Sequence, residues 1–317
     1  MLKSKNQLNI LNTYKIMNSL NIRYETTGNI SVNVGIEKLI YQGKTNIFNE
    51  VLIARNKFFG DFLVIDGKIQ SSQRDEYIYH ESSVLAGMLC SKWGIRNENK
   101  NKVERVLVIG SGPGCHVREL LKYDEIHDIV WVDIDKELVD LCRSLLPYSL
   151  KVNDKRVKFV AEDGYTYVTN SINKKEKFNL IIIDVNGWDA NPVSKRIVEP
   201  EFYKITKSLL YNNGVIVTFA KELPIDNVFN QNLIDLTDVT SVFNHAYPFH
   251  IYMPSMGRDF PLTLATDVDN FLEMDYNFIN SAISGFKNSF QYIKYDSNDF
   301  NSFRSMFSFD KNRKIIY

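Results

Sequence analysis

Three glycines and an aspartate are spaced as a nucleoside-binding site requires. Gly110, Gly112 and Gly114 follow the apolar run 106–109 and precede a helical pattern. Glycines at such a turn let the backbone approach a ligand closely, and the first N–H groups of the next helix can face it. Asp133 ends a second apolar run roughly 20 residues further on, where an acid usually binds two ribose hydroxyls. The pattern therefore predicts a nucleoside-binding half-site.

Two more acids follow predicted strands. Asp163 comes shortly after the apolar run 157–160, and Asp184 comes directly after the run 180–183. Ligands of open α/β sheets bind at the carboxyl ends of the strands. We therefore expect Asp133, Asp163 and Asp184 to lie along one edge of a sheet.

The elements that would position these acids alternate between strand and helix from residue 103 onward. Such alternation predicts an α/β fold, with a mostly parallel sheet that is covered by helices on both faces. An antiparallel pair of strands within 240–266 is expected to close the sheet. The predicted strands are 106–109, 129–132, 157–160, 180–183 and 214–219, and the predicted helices begin at 117, 135 and 202.

The first 75 residues have a different sequence pattern, with short strands rather than alternating strands and helices. A weak amphipathic helix is predicted over 8–22, followed by the short strands 36–44, 49–54, 60–65 and 68–70. The dipeptide Asp66-Gly67 predicts a tight hairpin turn within this small antiparallel β domain. A polar stretch, 71–81, then leads into a helix over 82–90. We expect an N-terminal domain at 1–75, a Rossmann-like domain at 76–290 and a tail at 291–317 that the sequence does not assign.

Composition excludes several classes of protein. The 38 basic and 38 acidic residues cancel, so the overall charge gives no indication of a nucleic-acid or membrane partner. Three scattered cysteines favour a reducing, cytoplasmic setting, and we predict neither a signal peptide nor a membrane span. Cys115 and His116 lack metal-ligand spacing, so no metal is predicted and the Cys115 thiol is expected to be inert packing.

Several motifs in one order resemble those of the spermidine synthases and other polyamine aminopropyltransferases. The run Asp66-Gly67-Lys68-Ile69-Gln70, followed by Arg74-Asp75-Glu76, Tyr79 and Glu81, is similar to the family pattern D-G-x-I-Q…R-D-E-x-x-Y-x-E. The glycine loop with Arg118-Glu119, the strand end Val132-Asp133-Ile134-Asp135, Glu162-Asp163-Gly164, Ile183-Asp184 and Pro200-Glu201-Phe202-Tyr203 continue the likeness. It covers about residues 41–219.

The resemblance implies a fold and an activity. It implies an N-terminal β domain on a methyltransferase-like Rossmann domain, a homodimer, and transfer of an aminopropyl group from decarboxylated S-adenosylmethionine to a small amine. The implied roles are Asp133 on the ribose, Asp163 on the adenine amino group, Asp184 beside the reacting amine, and Gln70, Tyr79 and His80 around the donor and acceptor pocket. The family commonly has Gln at the position of His80.

Two acids of the family pattern are missing. The family loop G-G-G-D-G-G is replaced by residues 110–115, with Pro113 where the acid that faces the donor's amine would stand. The D-x-x-D pair becomes Asp184-Val185-Asn186-Gly187, although Asp189 lies nearby. Loss of the loop acid removes repulsion of a donor carboxylate, so intact S-adenosylmethionine is also a candidate donor.

The chemistry that these residues predict is alkyl transfer from a sulfonium to an amine. Asp184 is the predicted base, with Tyr79 orienting the amine. A methyltransferase on the same scaffold and a non-catalytic nucleoside-binding homologue are the alternatives. The nucleoside product separates the two enzymes, because propyl-type transfer leaves methylthioadenosine and methyl transfer leaves S-adenosylhomocysteine.

Overall fold

A seven-stranded sheet is the largest element of the computed structural model, which describes residues 21–26, 30–97, 102–185, 195–197, 199–219, 221–222, 234–283 and 291. Its strands are β7 (Arg105–Gly110), β8 (Asp128–Asp133), β9 (Val157–Ala161), β10 (Phe178–Asp184), β11 (Leu210–Phe219), β14 (His245–Met253) and β15 (Arg258–Thr266). They lie in the order β14-β15-β11-β10-β7-β8-β9. The five strands from β11 to β9 are parallel, while β15 and β14 are antiparallel additions. The predicted α/β class and the closing antiparallel pair are confirmed.

The central strands are apolar on both sides because helices cover both faces of the sheet. Val106, Leu107 and Val108 on β7 are fully buried in succession, as expected for a strand within a parallel sheet. The helices are α1 (Glu76–Gly94), α2 (Cys115–Leu120), α3 (Lys136–Leu145), α4 (Gly164–Asn173), α5 (Pro200–Ser208), α6 (Thr237–Thr240) and α7 (Tyr276–Ile283), with a 3₁₀ turn at Phe271–Glu273. Within the described residues, no helix has the length and apolar character needed to cross a membrane.

A four-stranded antiparallel sheet precedes the main sheet. It consists of β3 (Lys38–Gly43), β4 (Val51–Asn56), β5 (Gly60–Ile65) and β6 (Lys68–Ser72), paired in chain order. Asp66 and Gly67 both have positive φ, at 46° and 77°, which confirms the predicted tight hairpin. Two further short pairs are β1 (Asn21–Thr26) with β2 (Ile30–Gly35), and β12 (Lys221–Glu222) with β13 (Ile234–Asp235).

Two sequence-based expectations for the elements differ from the structure. The helix predicted over 8–22 is wrong at its end, since residues 21 and 22 pair in β1, and residues 8–20 lie outside the described part. Helix α1 begins at Glu76, six residues before the predicted start at Ser82. Its first turns are polar yet buried, because Arg118 and Lys122 neutralise the acids there, so no apolar periodicity marks them.

The hydrophobic core runs from the small sheet into the main sheet. One cluster joins Leu52 and Val64 of the small sheet with Val84 of α1 and Val106 of β7. A second cluster packs Val51, Ile53, Leu63 and Ile65 against Cys115, Leu138 and Cys142. The small sheet is thereby held above the carboxyl ends of the parallel strands, near the glycine loop.

Candidate active site

The glycine loop is joined to the end of β10. Gly110 has φ 85°, and a Cβ there would lie 2.0 Å from the carbonyl oxygen of Asp184. The next backbone N–H, that of Ser111, donates to the same carbonyl oxygen at 2.8 Å. Gly114 also has positive φ, and a Cβ there would lie 2.8 Å from the Trp131 ring. Both positions therefore require glycine. The close contact places the loop beside Asp184 at the carboxyl edge of the sheet.

Asp133 lies against this loop as the spacing predicted. Its carboxylate is 7% exposed and accepts hydrogen bonds from the backbone N–H groups of Gly112 at 3.1 Å and Asp135 at 2.9 Å. Burial raises the pKa of Asp133 to about 7, although both hydrogen bonds oppose the shift. The carboxylate is thus oriented by the loop that would face a nucleoside.

Asp163 caps the next helix and has one unpaired oxygen. One carboxylate oxygen accepts from the Thr166 backbone N–H at 3.0 Å and from Arg196 at 2.6 Å. The other oxygen is enclosed and has no hydrogen-bond partner in the described part of the chain. Burial acts to raise the pKa of Asp163, but Thr166 and Arg196 hold that pKa below its usual value. An ionised oxygen is therefore available to an N–H donor.

Tyr79 and Asp184, which the sequence analysis predicted as orienting group and base, lie in contact in the structure. The Tyr79 hydroxyl donates to Asp184 Oδ1 at 3.1 Å. Burial and the Asp184 charge raise the pKa of Tyr79 well above its ordinary value, so the phenol remains protonated. Burial acts to raise the pKa of Asp184, yet His116 and Tyr79 outweigh it and leave the pKa below its usual value. Asp184 is consequently a carboxylate at neutral pH.

His116 is a site residue that the sequence reasoning missed. Its Nδ1 lies 3.1 Å from Asp184 Oδ2 and 3.0 Å from the Ser111 hydroxyl, while its Nε2 lies 2.7 Å from the Ser83 hydroxyl. Burial lowers the pKa of His116, and the nearby Asp184 does not fully offset this effect. Its position, two residues after Gly114 in the first turn of α2, is the signal that could have placed it at the sheet edge.

His80 is close to the pair, whereas Gln70 is not bonded to it. His80 Nδ1 lies 2.8 Å from the Glu76 carboxylate, and its ring packs edge-on against Tyr79 and His116. The hydrogen bond that the structure gives Gln70 runs to the Lys68 carbonyl oxygen at 3.1 Å, within the same strand. Asn186 and Asp189, which the sequence analysis noted as neighbours of Asp184, lie outside the described residues.

Comparisons with known proteins agree with this arrangement. The sequence profile described as "Spermine/spermidine synthase domain" matches residues 76–264, and the one described as "Spermidine synthase tetramerisation domain" matches residues 22–73. The chain belongs to the spermine/spermidine synthase family.

Relatives in this family are polyamine aminopropyltransferases. Polyamine aminopropyltransferase 1 of Hyperthermus butylicus is 32% identical over 238 residues, which are 74% of this chain and 77% of that protein. The Aeropyrum pernix enzyme is 31% identical over 235 residues, 73% of this chain and 70% of that protein. The chain is accordingly an enzyme of the polyamine aminopropyltransferase type.

Solved structures share the fold. A spermidine synthase in complex with the transition state analogue AdoDATO has a TM-score of 0.75 at 22% identity, and 92% of each chain is covered. Spermidine synthase from Thermotoga maritima has a TM-score of 0.71 at 23% identity, again with 92% of each chain covered. These likenesses show that the two sheets follow the spermidine synthase architecture.

Cys115, which directly follows the glycine loop, has an unreactive thiol, as the sequence analysis expected. Cys115 is fully buried, and burial together with Glu76 raises the pKa of its thiol well above the ordinary value. A thiol in that state is a poor nucleophile. The titratable side chains in contact with one another around Asp184 are Tyr79, His80 and His116.

Proposed function

We propose that this aminopropyltransferase moves a propyl-type group from an S-adenosyl sulfonium donor to a small amine, with Asp184 receiving the amine's proton. The observation that carries the proposal is the Tyr79–Asp184 hydrogen bond of 3.1 Å, placed directly beside the glycine loop. The loop and its acid would hold the nucleoside, and the pair would hold the amine that attacks it.

In the proposed reaction, the amine nitrogen forms a bond to the propyl carbon while the carbon–sulfur bond breaks. The electron pair of that bond stays on sulfur, which changes from a sulfonium to a neutral thioether. The nitrogen loses one proton to the Asp184 carboxylate, and Tyr79 stays protonated and fixes the carboxylate's orientation. Alignment of nitrogen, carbon and sulfur is the main contribution of the protein.

The nucleoside half of the donor is assigned to two acids. Asp133 would accept hydrogen bonds from the ribose hydroxyls. The enclosed Asp163 oxygen, which has no partner among the described residues, would accept one from the adenine amino group. Gln70, His80 and the loop glycines Gly110, Gly112 and Gly114 would line the rest of the pocket.

Decarboxylated S-adenosylmethionine is the donor that family membership favours. Pro113 stands where the family loop has an acid, so repulsion between that acid and a donor carboxylate is absent. At 4 Å such repulsion is worth about 1–4 kcal/mol in wet to partly buried surroundings. Intact S-adenosylmethionine, giving 3-amino-3-carboxypropyl transfer, is therefore the second candidate.

The deciding experiment is mass spectrometry of the nucleoside product after incubation with each donor and a panel of amines. Methylthioadenosine together with an alkylated amine supports the proposal. S-adenosylhomocysteine would assign methyl transfer instead. Nucleoside binding with no product from any amine would leave only a binding role.

We further propose that the chain acts as a homodimer. The supporting observation is the match of residues 22–73 to a domain described by its role in tetramerisation, which indicates self-association of this segment. Light scattering coupled to size exclusion should give twice the mass of the 36.8 kDa chain. A monomer would overturn the proposal, and a tetramer would correct it.

A further inference from the structure

We propose that His80, His116 and Asp184 form a binding site for one divalent transition-metal ion of the zinc class. The three residues come from α1, α2 and the end of β10, and one ligand atom of each lies within 4.8 Å of the others. Imidazole nitrogens and a carboxylate oxygen are the ligands that zinc and its neighbours bind. The sequence analysis predicted no metal, because the three ligands are separated by tens of residues.

The spacing of the ligands fits one ion. His116 Nδ1 and Asp184 Oδ2 are 3.1 Å apart, and two ligands on a tetrahedral ion with bonds of ~2.1 Å are separated by about 3.4 Å. The rings of His80 and His116 have centroids 4.6 Å apart and are inclined by 78°. Two imidazoles on one tetrahedral ion place their centroids about 5.3 Å apart, so the rings would have to separate slightly to bind the ion.

Each ligand is fixed by a partner on its far side. Glu76 binds His80 Nδ1 and leaves Nε2 available, as in the carboxylate–histidine pairs that support metal sites. Ser83 binds His116 Nε2, and Nδ1 lies beside Asp184 and 3.0 Å from the Ser111 hydroxyl, which an ion would displace. The Tyr79 hydroxyl binds Asp184 Oδ1 and leaves Oδ2. Such outer partners hold the ligand atoms in place before an ion arrives.

The charges also favour a cation at this point. Asp184 supplies a carboxylate to the site, and its Oδ2 lies 3.1 Å from His116 Nδ1. In the described structure this carboxylate contacts the Tyr79 hydroxyl and the His116 ring.

A second group of possible ligands consists of Glu76, His80 and Cys115, and it already has a cation beside it. The Arg118 guanidinium donates to the Glu76 carboxylate at 2.9 Å and lies 3.8 Å from Cys115 Sγ. A cation therefore already neutralises that side of His80.

Binding of the ion would oppose amine binding, an inference that rests on the proposed function. A metal on Asp184 Oδ2 takes the carboxylate oxygen that the amine needs, while Tyr79 occupies the other. We therefore expect added Zn²⁺ to raise the KM for the amine.

Zinc titration of the purified, chelator-treated full chain tests the site directly. Competition with a chromophoric chelator should show one Zn²⁺ per chain in this site. The variants His80→Gln and His116→Asn should each weaken the binding by at least about 100-fold, the upper end of the cost of losing an outer partner. Binding of Co²⁺ should give visible d–d bands that both variants lose.

The matched control is His245→Gln. His245, at the start of β14, also contacts a carboxylate, that of Asp269 at 2.7 Å, but the Asp269 side chain is 80% exposed. Its loss should leave the zinc affinity unchanged. The proposal is overturned if the wild-type chain binds Zn²⁺ no more tightly than His80→Gln, provided that circular dichroism shows both to be folded.

The titration contains neither donor nor amine, so it does not depend on the proposed reaction. Product formation by the chelator-treated chain tests the reaction alone. A chain that binds zinc but transfers nothing would sink the proposed function and leave the metal site standing. A chain that transfers the group but does not bind zinc would overturn the metal site and leave the proposed function standing.

Discussion

Asp184 is contacted on both carboxylate oxygens, by the Tyr79 hydroxyl on one and by His116 on the other, at 3.1 Å each. These contacts keep its pKa below the ordinary value, so Asp184 is a weaker base than a free carboxylate. In the proposed reaction its value would lie in position, since a fixed negative charge beside the amine favours proton transfer as the nitrogen–carbon bond forms.

Asp184→Asn should lower turnover by about 100-fold or more while leaving donor binding nearly unchanged. The amide keeps the shape of the side chain and a hydrogen-bond acceptor for Tyr79, but it cannot accept the proton. Single-turnover kinetics and donor calorimetry measure the two effects separately. Preserved turnover with a collapse of donor affinity would make Asp184 a binding residue.

At pH 8, where Asp133 with its pKa of about 7 is mostly ionised, Asp133→Ala should weaken binding of methylthioadenosine by about 1.5–3 kcal/mol, because the ribose hydroxyls lose a charged acceptor. Calorimetry measures the change. Asp140→Ala is a suitable control, since Asp140 is an exposed helix residue paired with Lys136. Equal affinity of Asp133→Ala and wild type would remove Asp133 from the nucleoside site.

The buried Asp133 also predicts how stability changes with pH. Its pKa is about 7 in the folded chain against 3.8 as the ordinary value, so the folded state binds more protons than the unfolded state between pH 4 and 7. The contribution of Asp133 to the free energy of unfolding should therefore fall as pH rises through that window and level off above it. The total change is at most about 4 kcal/mol.

Denaturant unfolding of wild type and Asp133→Asn at pH 5 and pH 8 measures this effect. The difference in free energy between the two chains should shift in favour of the variant at pH 8, because the amide does not titrate. A difference that is equal at both pH values would show that Asp133 titrates normally.

At the scale of elements, the proposed choice of donor depends on the loop between β7 and α2. Pro113 has no N–H, and its carbonyl oxygen accepts from the Leu150 N–H at 2.9 Å, so its backbone is tied to the segment after α3. A side chain introduced at this position would extend from a loop whose remaining geometry is fixed by Gly110 and Gly114.

Pro113→Asp should shift donor preference toward decarboxylated S-adenosylmethionine by about tenfold, or 1.4 kcal/mol. The new carboxylate would attract the donor's ammonium and repel a carboxylate. Competitive binding of the two donors measures the shift, and Pro113→Asn separates the charge from the change in backbone. If wild type already prefers the decarboxylated donor strongly, the argument from the missing acid fails.

The strands of the main sheet were predictable because burial on both faces leaves long apolar runs, as in β7 and β10. The start of α1 was not, since its buried Glu76 and Glu81 look like surface residues until Arg118 and Lys122 are placed beside them. Helix α4 was missed for a related reason: only Tyr167 and Val168 give its mixed sequence an apolar face.

The residues of the site also divide into those that could be predicted from the sequence and those that could not. Asp133 and Asp184 were predictable from their positions at strand ends, where the sheet itself fixes the location. His116 was not, because its contacts with Ser83 and Asp184 depend on three segments that only the folded chain brings together.

At the scale of the whole molecule, Asp75 joins the start of α1 to the hairpin of β14 and β15. This aspartate, part of the motif that carries the family likeness, is 3% exposed. Its carboxylate accepts from the Ser255 backbone N–H at 2.7 Å, the Ser255 hydroxyl at 3.0 Å and the Ser72 hydroxyl at 2.6 Å. The small sheet, the first helix and the far edge of the main sheet thus meet at one side chain.

Asp75→Ala should lower the free energy of unfolding by about 3 kcal/mol, because it removes a charged acceptor and leaves the buried Ser255 N–H unpaired. Asp75→Asn should cost less, since one oxygen remains to accept that N–H. Denaturant unfolding measures both variants, with the exposed Asp140→Ala expected to change little. If Asp75→Ala unfolds at the wild-type midpoint, water replaces the carboxylate and the core alone holds the two sheets together. If the loss is as expected, the aspartate of this motif acts in the fold rather than in the chemistry, while Tyr79, one helical turn away, acts on Asp184.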